Sequence, residues 1–518
     1  MVQDTRPTKT LVNGTPHASF MTTDNNSTII TEETTTATTT TTSIKNNNKA
    51  SAAVTANVRL NKQRRLYFKA RNTKFDITDP DAHKETFRGF YTLFWLAMII
   101  YSIQTFMACY QQEGILLSLN FYDLISEDAL ALLVSDCVMV SITMFSVPYS
   151  RLLIKGVIHY ETTGVILQHL CQALFLFCSV YWVVWRDWPW VQSGFFTMHS
   201  IVMMMKMHSY TALNGHLSIK LRRLNHLKKY VPEWLSKRDE LTDDDKIELD
   251  GMEEEIKFLE EELIQGEVRF PNNVTMKNYL DYLLVPSLVY WMEYPRTDRV
   301  RPWYVFEKTM ATFASFLFLY ITTERYILTK LYDPSLSEIE VIIELLFPFL
   351  INYLFIFYII FECILNGFAE ISRFADRNFY DDWWNSVSYD EFARKWNKPV
   401  HHWLLRHVYT ESIESYKLSK TNATFVTFLL SSCLHEMVLV ICTRRIRMYL
   451  FVLQMFQLPL IILGRKPFIR DRYWLGNTVY WLSMMFGPPL LGILYCREVF
   501  WSQWVANQLS SSSPYPSQ

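Results

Sequence analysis

The chain has 518 residues, with 50 Lys and Arg against 51 Asp and Glu and a formal net charge of -1. With no cationic excess to neutralise phosphates, nucleic-acid binding is excluded as a main role. Half the residues are hydrophobic, only 14 are Gly, and neither G-x-x-x-x-G-K-[ST] nor G-x-S-x-G occurs, which argues against a phosphate-cradling loop and a hydrolase elbow.

The amino end, with "TEETTTATTTTTS" and "KNNNKAS", is polar low-complexity sequence that cannot bury a core. Residues 1–75 are therefore expected to form a disordered, basic cytosolic tail. No secretory signal peptide is apparent, so insertion is expected through the first spanning helix. Beyond the tail, runs of roughly 20 mostly apolar residues mark membrane helices. They lie near 91–110, 129–147, 163–186, 194–213, 303–328, 340–365, 422–442, 448–463 and 475–496. The expected fold is all-α: a polytopic membrane domain over 76–505 with about nine spans, then a short lumenal tail, 506–518.

Orientation follows from Lys and Arg in short flanking loops. "NKQRRLYFKARNTK" places the amino end in the cytosol, and 111–128, without Lys or Arg, reads as lumenal. Nine spans then put 214–302 and 366–421 in the cytosol and the carboxyl end in the lumen. Arg444, Arg445 and Arg447 would face the lumen against the charge bias, so either the count is off there or protein groups hold them.

Within 214–302, basic "KLRRLNHLKK" precedes an acidic stretch in which Met252, Ile256, Leu259 and Leu263 form a narrow helical stripe. A solvated helix lying on the membrane domain is expected. The eight cysteines show no C-x-x-C spacing, and most fall in apolar runs, as buried small hydrophobes would. Segment 366–421 is dense in Trp, Tyr and Phe interleaved with basic residues, like an interfacial segment. Phe392, Trp396, Trp403, Leu404 and Val408 can share one helical side, although Pro399 should break or kink it.

The seventh span, "NATFVTFLLSSCLHEMVLVICTRR", carries His435 and Glu436 into hydrocarbon, where either is costly unless paired or used. A neutral imidazole, with an ordinary pKa of about 6.5, can accept a proton from a hydroxyl nucleophile. Glu436 points about 100° away on a helix and is expected to pair structurally. "HEMVL" lacks the second His of H-E-x-x-H, and "DDWWN" lacks the last acid of D-D-x-x-D, so no metal site is expected.

"FYDDWWN", residues 379–385, fits the F-Y-x-D-W-W-N signature of eukaryotic sterol and diacylglycerol acyltransferases, and "SSCLHEMVLV" resembles the stretch around their active-site histidine. The chain from about residue 90 is thus similar to the membrane-bound O-acyltransferase superfamily. "YPRTDRVRPWYVFEK" and "LSSCLHEMVLVICTRRIRMYLFVLQMFQLPLI" are similar to its fungal sterol branch. The resemblance implies His435 as general base assisted by Asn397, although Asn397 also reads as a helix-end cap ahead of Pro399. It implies acyl-CoA contacts at Arg394, Trp396, His401, Tyr409, Lys420 and Ser431. Phe379, Tyr380, Asp382, Trp383, Trp384 and Asn385 would shape the CoA entrance. Long-chain acyl-CoA and a sterol are then substrates, no cofactor is expected, and residence in the endoplasmic reticulum as a homodimer or homotetramer is implied.

Two other readings stand beside this one. A diacylglycerol acyltransferase would use the same histidine on a different hydroxyl. A transporter would use Asp136, His169, Lys206, Glu324, Arg325, Glu344 and Glu362 as its polar set, but the inverted repeat of many transporters is missing.

Overall fold

A computed structural model describes residues 68–73, 76, 88–114, 126–331, 333, 335–470 and 472–511. The expected tail lies outside these residues except for 68–73. That short segment runs beside the FYDDWWN region, where the Arg71 amide donates to the Ala375 carbonyl at 2.9 Å. The described part of the domain therefore begins ahead of the boundary expected at 76.

The first helices are α1 (Arg88–Glu113), α2 (Ala129–Thr143), α3 (Ser146–Ile154), α4 (Val165–Arg186) and the long α5 (Trp190–Ser236). Next come α6 (Asp243–Glu262), a two-stranded antiparallel ribbon (Ile264–Gln265 with Val268–Arg269) and α7 (Met276–Leu284). α8 (Pro302–Thr322) runs into a π-turn, Thr323–Leu328. α9 (Glu338–Tyr358) continues through a second π-turn, Ile359–Ile364, into α10 (Leu365–Ile371). α11 (Tyr389–Trp396) and α12 (Lys398–Leu404) follow, with a third π-turn at Leu405–Thr410. The last membrane helices are α14 (Lys420–Thr443), α15 (Tyr449–Gly464) and α16 (Tyr473–Ser511), preceded by a short α13 (Glu411–Glu414).

Six helical segments among the described residues are long and apolar enough to cross a membrane: 91–111, 129–154, 160–186, 339–371, 420–443 and 473–497. The other three expected spans are helical too, but differ in kind. Residues 194–213 are one part of the 47-residue α5, which carries a lysine, Lys206, at its core. Residues 303–328 include Glu307, Lys308, Glu324 and Arg325, and α15 has only 16 residues. The carboxyl helix reaches Ser511, past the tail boundary expected at 506.

Apolar periodicity in these helices reports lipid contact as much as core. The 91–111 segment is only 6% buried, and Leu96, Ile100 and Ile103 stand exposed on it, since hydrocarbon replaces protein as the apolar surrounding. The same reason corrects the expectation for the cysteines: Cys109 and Cys363 are buried, but Cys137, Cys171, Cys178 and Cys433 lie exposed on their helices.

The acidic α6 lies on α5 as expected. Thr242 opens it with a capping box to Asp245. Its Met252 and Ile256 pack on the main core, and its acids pair with the basic end of α5: Lys220 with Glu262 at 2.8 Å, Arg223 with Glu255 at 2.9 Å, and Lys228 with Glu260.

Candidate active site

Ser419 caps α14, its hydroxyl accepting from the Asn422 amide at 3.2 Å. Four turns on, the Nδ1 of His435 lies 2.8 Å from the Ser431 carbonyl oxygen. A carbonyl only accepts, so Nδ1 carries the hydrogen and the lone pair of the neutral ring sits on Nε2. Nε2 has no hydrogen-bond partner among the described residues, and the side chain is exposed rather than packed. The ring is oriented and its basic nitrogen is left open.

Glu436 is the reverse. It is buried, and its carboxylate accepts from the backbone amides of Met448 at 2.8 Å and Phe451 at 3.0 Å, and from the Tyr495 hydroxyl at 3.0 Å. α15 starts from Met448 (φ 61°), whose side chain has no oxygen to cap the first amides, so Glu436 supplies the cap from another helix. An anion at a helix N-terminus is also favoured by the helix dipole. The expected structural pairing is observed. In the next turn Arg444 is held by protein groups, its guanidinium donating to the Val183 carbonyl at 3.3 Å and lying 3.6 Å from Asp187.

The 389–410 region breaks where Pro399 requires it: α11 ends at Trp396 and α12 begins at Lys398. Asn397 sits between them, with its Oδ1 accepting from the Val400 amide at 3.1 Å. The capping role is therefore in place, while Nδ2 has no partner among the described residues. The break also divides the aromatic face expected to be continuous. Phe392 and Trp396 join the main core, whereas Trp403, Leu404 and Val408 join a separate cluster with Met205 and Val289.

The expected acyl-CoA contacts spread along this region. Arg394 is half-exposed and pairs with Asp390 at 2.5 Å, one turn away. Trp396 stacks on Tyr353 with ring centroids 4.8 Å apart and is ringed by Phe357, Trp383 and Phe392. Burial, then the charges of Arg394 and Lys398, hold the His401 imidazole below its ordinary range. Tyr409 lies in the π-turn that packs on α14, Lys420 is exposed at the first position of α14, and Ser431 orients His435. No hydrogen bond joins His435 to Asn397 among the described residues.

The FYDDWWN motif is held from several sides. Phe379, Tyr380 and Trp383 are buried, and the Tyr380 hydroxyl donates to Glu362 in the second π-turn at 2.6 Å. Lys395 Nζ lies 3.4 Å from the Asp382 carbonyl. Trp383–Asn385 forms a single 3-10 turn, clamped by α16. There Asn477 donates to the carbonyls of Trp384 and Ser386 at 3.2 and 3.0 Å, Trp481 to Trp384 at 3.0 Å, and Tyr473 to Asn385 at 3.3 Å.

Two arrangements had no signal in the local sequence, because both depend on residues far apart in the chain. Arg301, in "YPRTDRVRPWYVFEK", reaches Asp76 at 3.0 Å and the fully buried Glu370 at 2.9 Å, and Arg377 meets the same Glu370 at 2.5 Å. Arg71 donates to both oxygens of Asp376 at 2.9 and 2.8 Å. These contacts lash the segment before α1 to the start of the motif.

Four of the seven polar groups considered for a transporter are tied to other parts of the protein. Asp136 bonds His199 at 2.6 Å, Glu344 pairs with Lys330 at 3.2 Å, and Glu362 accepts from Thr73 at 2.5 Å. Lys206 caps the end of α7, donating to the carbonyls of Tyr282, Leu283 and Val285.

The membrane-bound O-acyltransferase family profile matches residues 152–497. The chain is 38% identical over 461 residues to "Probable sterol O-acyltransferase 1" of Schizosaccharomyces pombe, covering 83% of this chain and 85% of that protein. It is 32% identical over 483 residues to sterol O-acyltransferase 2 of Candida albicans, covering 83% and 78%. Similarity to diacylglycerol O-acyltransferase 1 of Dictyostelium discoideum is 34% over 255 residues, covering 47% and 41%.

Proposed function

The chain belongs to the membrane-bound O-acyltransferase family, and from that premise we propose that it transfers a long-chain fatty acyl group from acyl-CoA to a sterol hydroxyl, with His435 as the general base. The observation that carries the base assignment is the Nδ1–Ser431 hydrogen bond, which leaves the lone pair on Nε2. Nε2 takes the sterol proton as the oxygen attacks the thioester carbonyl. The C–S bond breaks as the tetrahedral intermediate collapses, and the proton passes from the imidazolium to the departing thiolate, so the products are ester and free CoA. Asn397, with an open Nδ2, is suited to donate to the developing oxyanion.

Both substrates favour a site within the membrane domain. A fatty chain of some 16–18 carbons gains on the order of 10 kcal/mol from apolar surroundings at about 0.8 kcal/mol per methylene. The CoA head stays near the cytosol, where Arg394, Trp396, His401, Tyr409 and Lys420 are assigned to it. Nine spans, a cytosolic amino end, a lumenal carboxyl end and residence in the endoplasmic reticulum as a homodimer or homotetramer complete the proposal. The sterol acceptor is preferred to diacylglycerol because the similarity to sterol acyltransferases extends over 83% of the chain, against 47% for the diacylglycerol enzyme.

The test is an assay of microsomes carrying the chain, supplied with labelled oleoyl-CoA and either ergosterol or diacylglycerol. Steryl ester as the main product supports the reading. Triacylglycerol as the main product replaces the acceptor, and neither product removes the proposed activity.

A further inference from the structure

α15 ends at Gly464 and the last span begins at Tyr473, so the chain between them, "RKPFIRDR" (465–472), turns at one face of the membrane. In sequence, four cations, Arg465, Lys466, Arg470 and Arg472, stand there against one acid, Asp471. The backbone gathers them. The amides of Lys466, Ile469 and Arg472 each donate to a carbonyl three residues back, at 3.0, 3.0 and 3.1 Å, around the single helical turn Pro467–Arg470. Cations of the segments 214–302 and 366–421 meet acids of the protein itself: Lys220, Arg223 and Lys228 on α6, Arg394 at Asp390, and Lys395 at Glu391. Arg465, Lys466 and Arg472 are exposed instead, and none lies within ion-pair distance of a carboxylate among the described residues. Arg472 sits over the Phe468 ring, 4.7 Å from its centroid, which leaves the guanidinium N–H edges for a partner.

The neighbouring residues indicate which partner. Phe468, Tyr473 and Trp474 are 63%, 60% and 67% exposed, among the cations. On either side of the turn the exposed residues become aliphatic, Ile462 and Leu463 before it and Val479 and Leu482 after it. Aliphatic, then cationic and aromatic, then aliphatic again is the order met by a chain that leaves hydrocarbon, passes the headgroups and re-enters. Aromatic rings level with the ends of two membrane helices make the partner a lipid surface. The excess of cations selects headgroups of net negative charge over zwitterionic ones, and a guanidinium matches a phosphate through two hydrogen bonds. The nine-span count places this turn on the cytosolic side, whose leaflet carries the anionic lipids.

The turn is also attached to the FYDDWWN motif. The Tyr473 hydroxyl donates to the Asn385 carbonyl at 3.3 Å, and one turn on Asn477 donates to the carbonyls of Trp384 and Ser386. At the other end, a Cβ on Gly464 would stand 3.4 Å from the Ser388 Cβ. We propose that the α15–α16 turn binds anionic phospholipid headgroups through Arg465, Lys466 and Arg472, and so anchors the carboxyl end of the motif at the membrane surface. None of these cations is assigned to acyl-CoA or sterol above.

The test places the purified full-length protein in lipid nanodiscs with a trace of photoactivatable phosphatidylserine or phosphatidylcholine, each carrying the same diazirine near the glycerol. Labelling is mapped to the peptide spanning 462–481. Nanodiscs offer the same lipids on both faces and need no turnover, so the outcome is independent of the topology and of the reaction proposed above. Phosphatidylserine should label this peptide at least about fivefold more than phosphatidylcholine. Arg465→Gln with Lys466→Gln and Arg472→Gln should bring the ratio below about twofold. Should the triple variant not fold, Arg472→Gln alone should lower the ratio by a smaller factor, and about 1 M NaCl should bring the wild-type ratio below about twofold by screening. A wild-type ratio near one, or a preference that survives these changes, overturns the lipid contact. For the anchoring, amide hydrogen exchange over 383–386 should be at least about threefold slower in discs rich in phosphatidylserine than in phosphatidylcholine discs. Equal exchange in the two discs overturns the anchoring.

Discussion

His435 and Glu436 are neighbours in sequence on α14, and their side chains have opposite surroundings. The Glu436 side chain is buried, and its carboxylate accepts hydrogen bonds from α15 and α16. The His435 side chain is exposed, with one ring nitrogen tied to its own helix and the other without a hydrogen-bond partner among the described residues. A membrane helix tolerates polar groups for two reasons, pairing or use, and here adjacent residues supply one example of each.

Four substitutions or measurements probe that contrast. His435→Ala should lower steryl ester formation by about 10²–10⁴-fold, the contribution of a positioned base, with protein abundance near normal in an immunoblot. Ester formation within tenfold of wild type would erase the distinction between the two residues. Glu436→Ala should act the other way. It strands two backbone amides and a tyrosine hydroxyl, and should destabilise the protein by on the order of 3 kcal/mol, seen as a fall in Tm in detergent. Turnover per folded molecule should stay within a few-fold, and a normal Tm with abolished turnover would make Glu436 a reaction group.

Tyr380→Phe removes the hydroxyl bonded to Glu362 and leaves the aromatic packing of the motif. A Tm loss equivalent to about 1–2 kcal/mol is expected, with a larger loss of stability than of activity. If activity disappears while Tm is unchanged, the motif acts on substrate directly.

The smallest effect concerns pH. Burial, then the neighbouring His401 and Lys398, push His402 down to about 4. The unfolded chain, with an ordinary value of about 6.5, binds this proton more readily below that pH. The stability contributed by His402 is therefore full above about 6.5 and is lost as pH falls toward 4. His402→Gln should flatten the Tm-versus-pH curve in that window, and an unchanged slope would contradict the assignment.

What was legible in the sequence was whatever depends on local pattern. Six of the expected spans have the length and composition to cross a membrane, the break at Pro399 falls where its ring demands, and Glu436 pairs as its angle on the helix implied. The exposure of Cys433 was not legible, because apolar neighbours in sequence do not distinguish lipid from protein. Nor was the lashing of Arg71 to Asp376, which joins residues 305 apart.

The most direct test is a density map of the protein bound to a non-hydrolysable oleoyl-CoA ether analogue together with ergosterol. The account predicts His435 Nε2 within about 3.2 Å of the sterol hydroxyl, on the side facing the acyl carbon, with Nδ1 still on the Ser431 carbonyl. A sterol hydroxyl held elsewhere, with Nε2 turned to lipid chains, would contradict it.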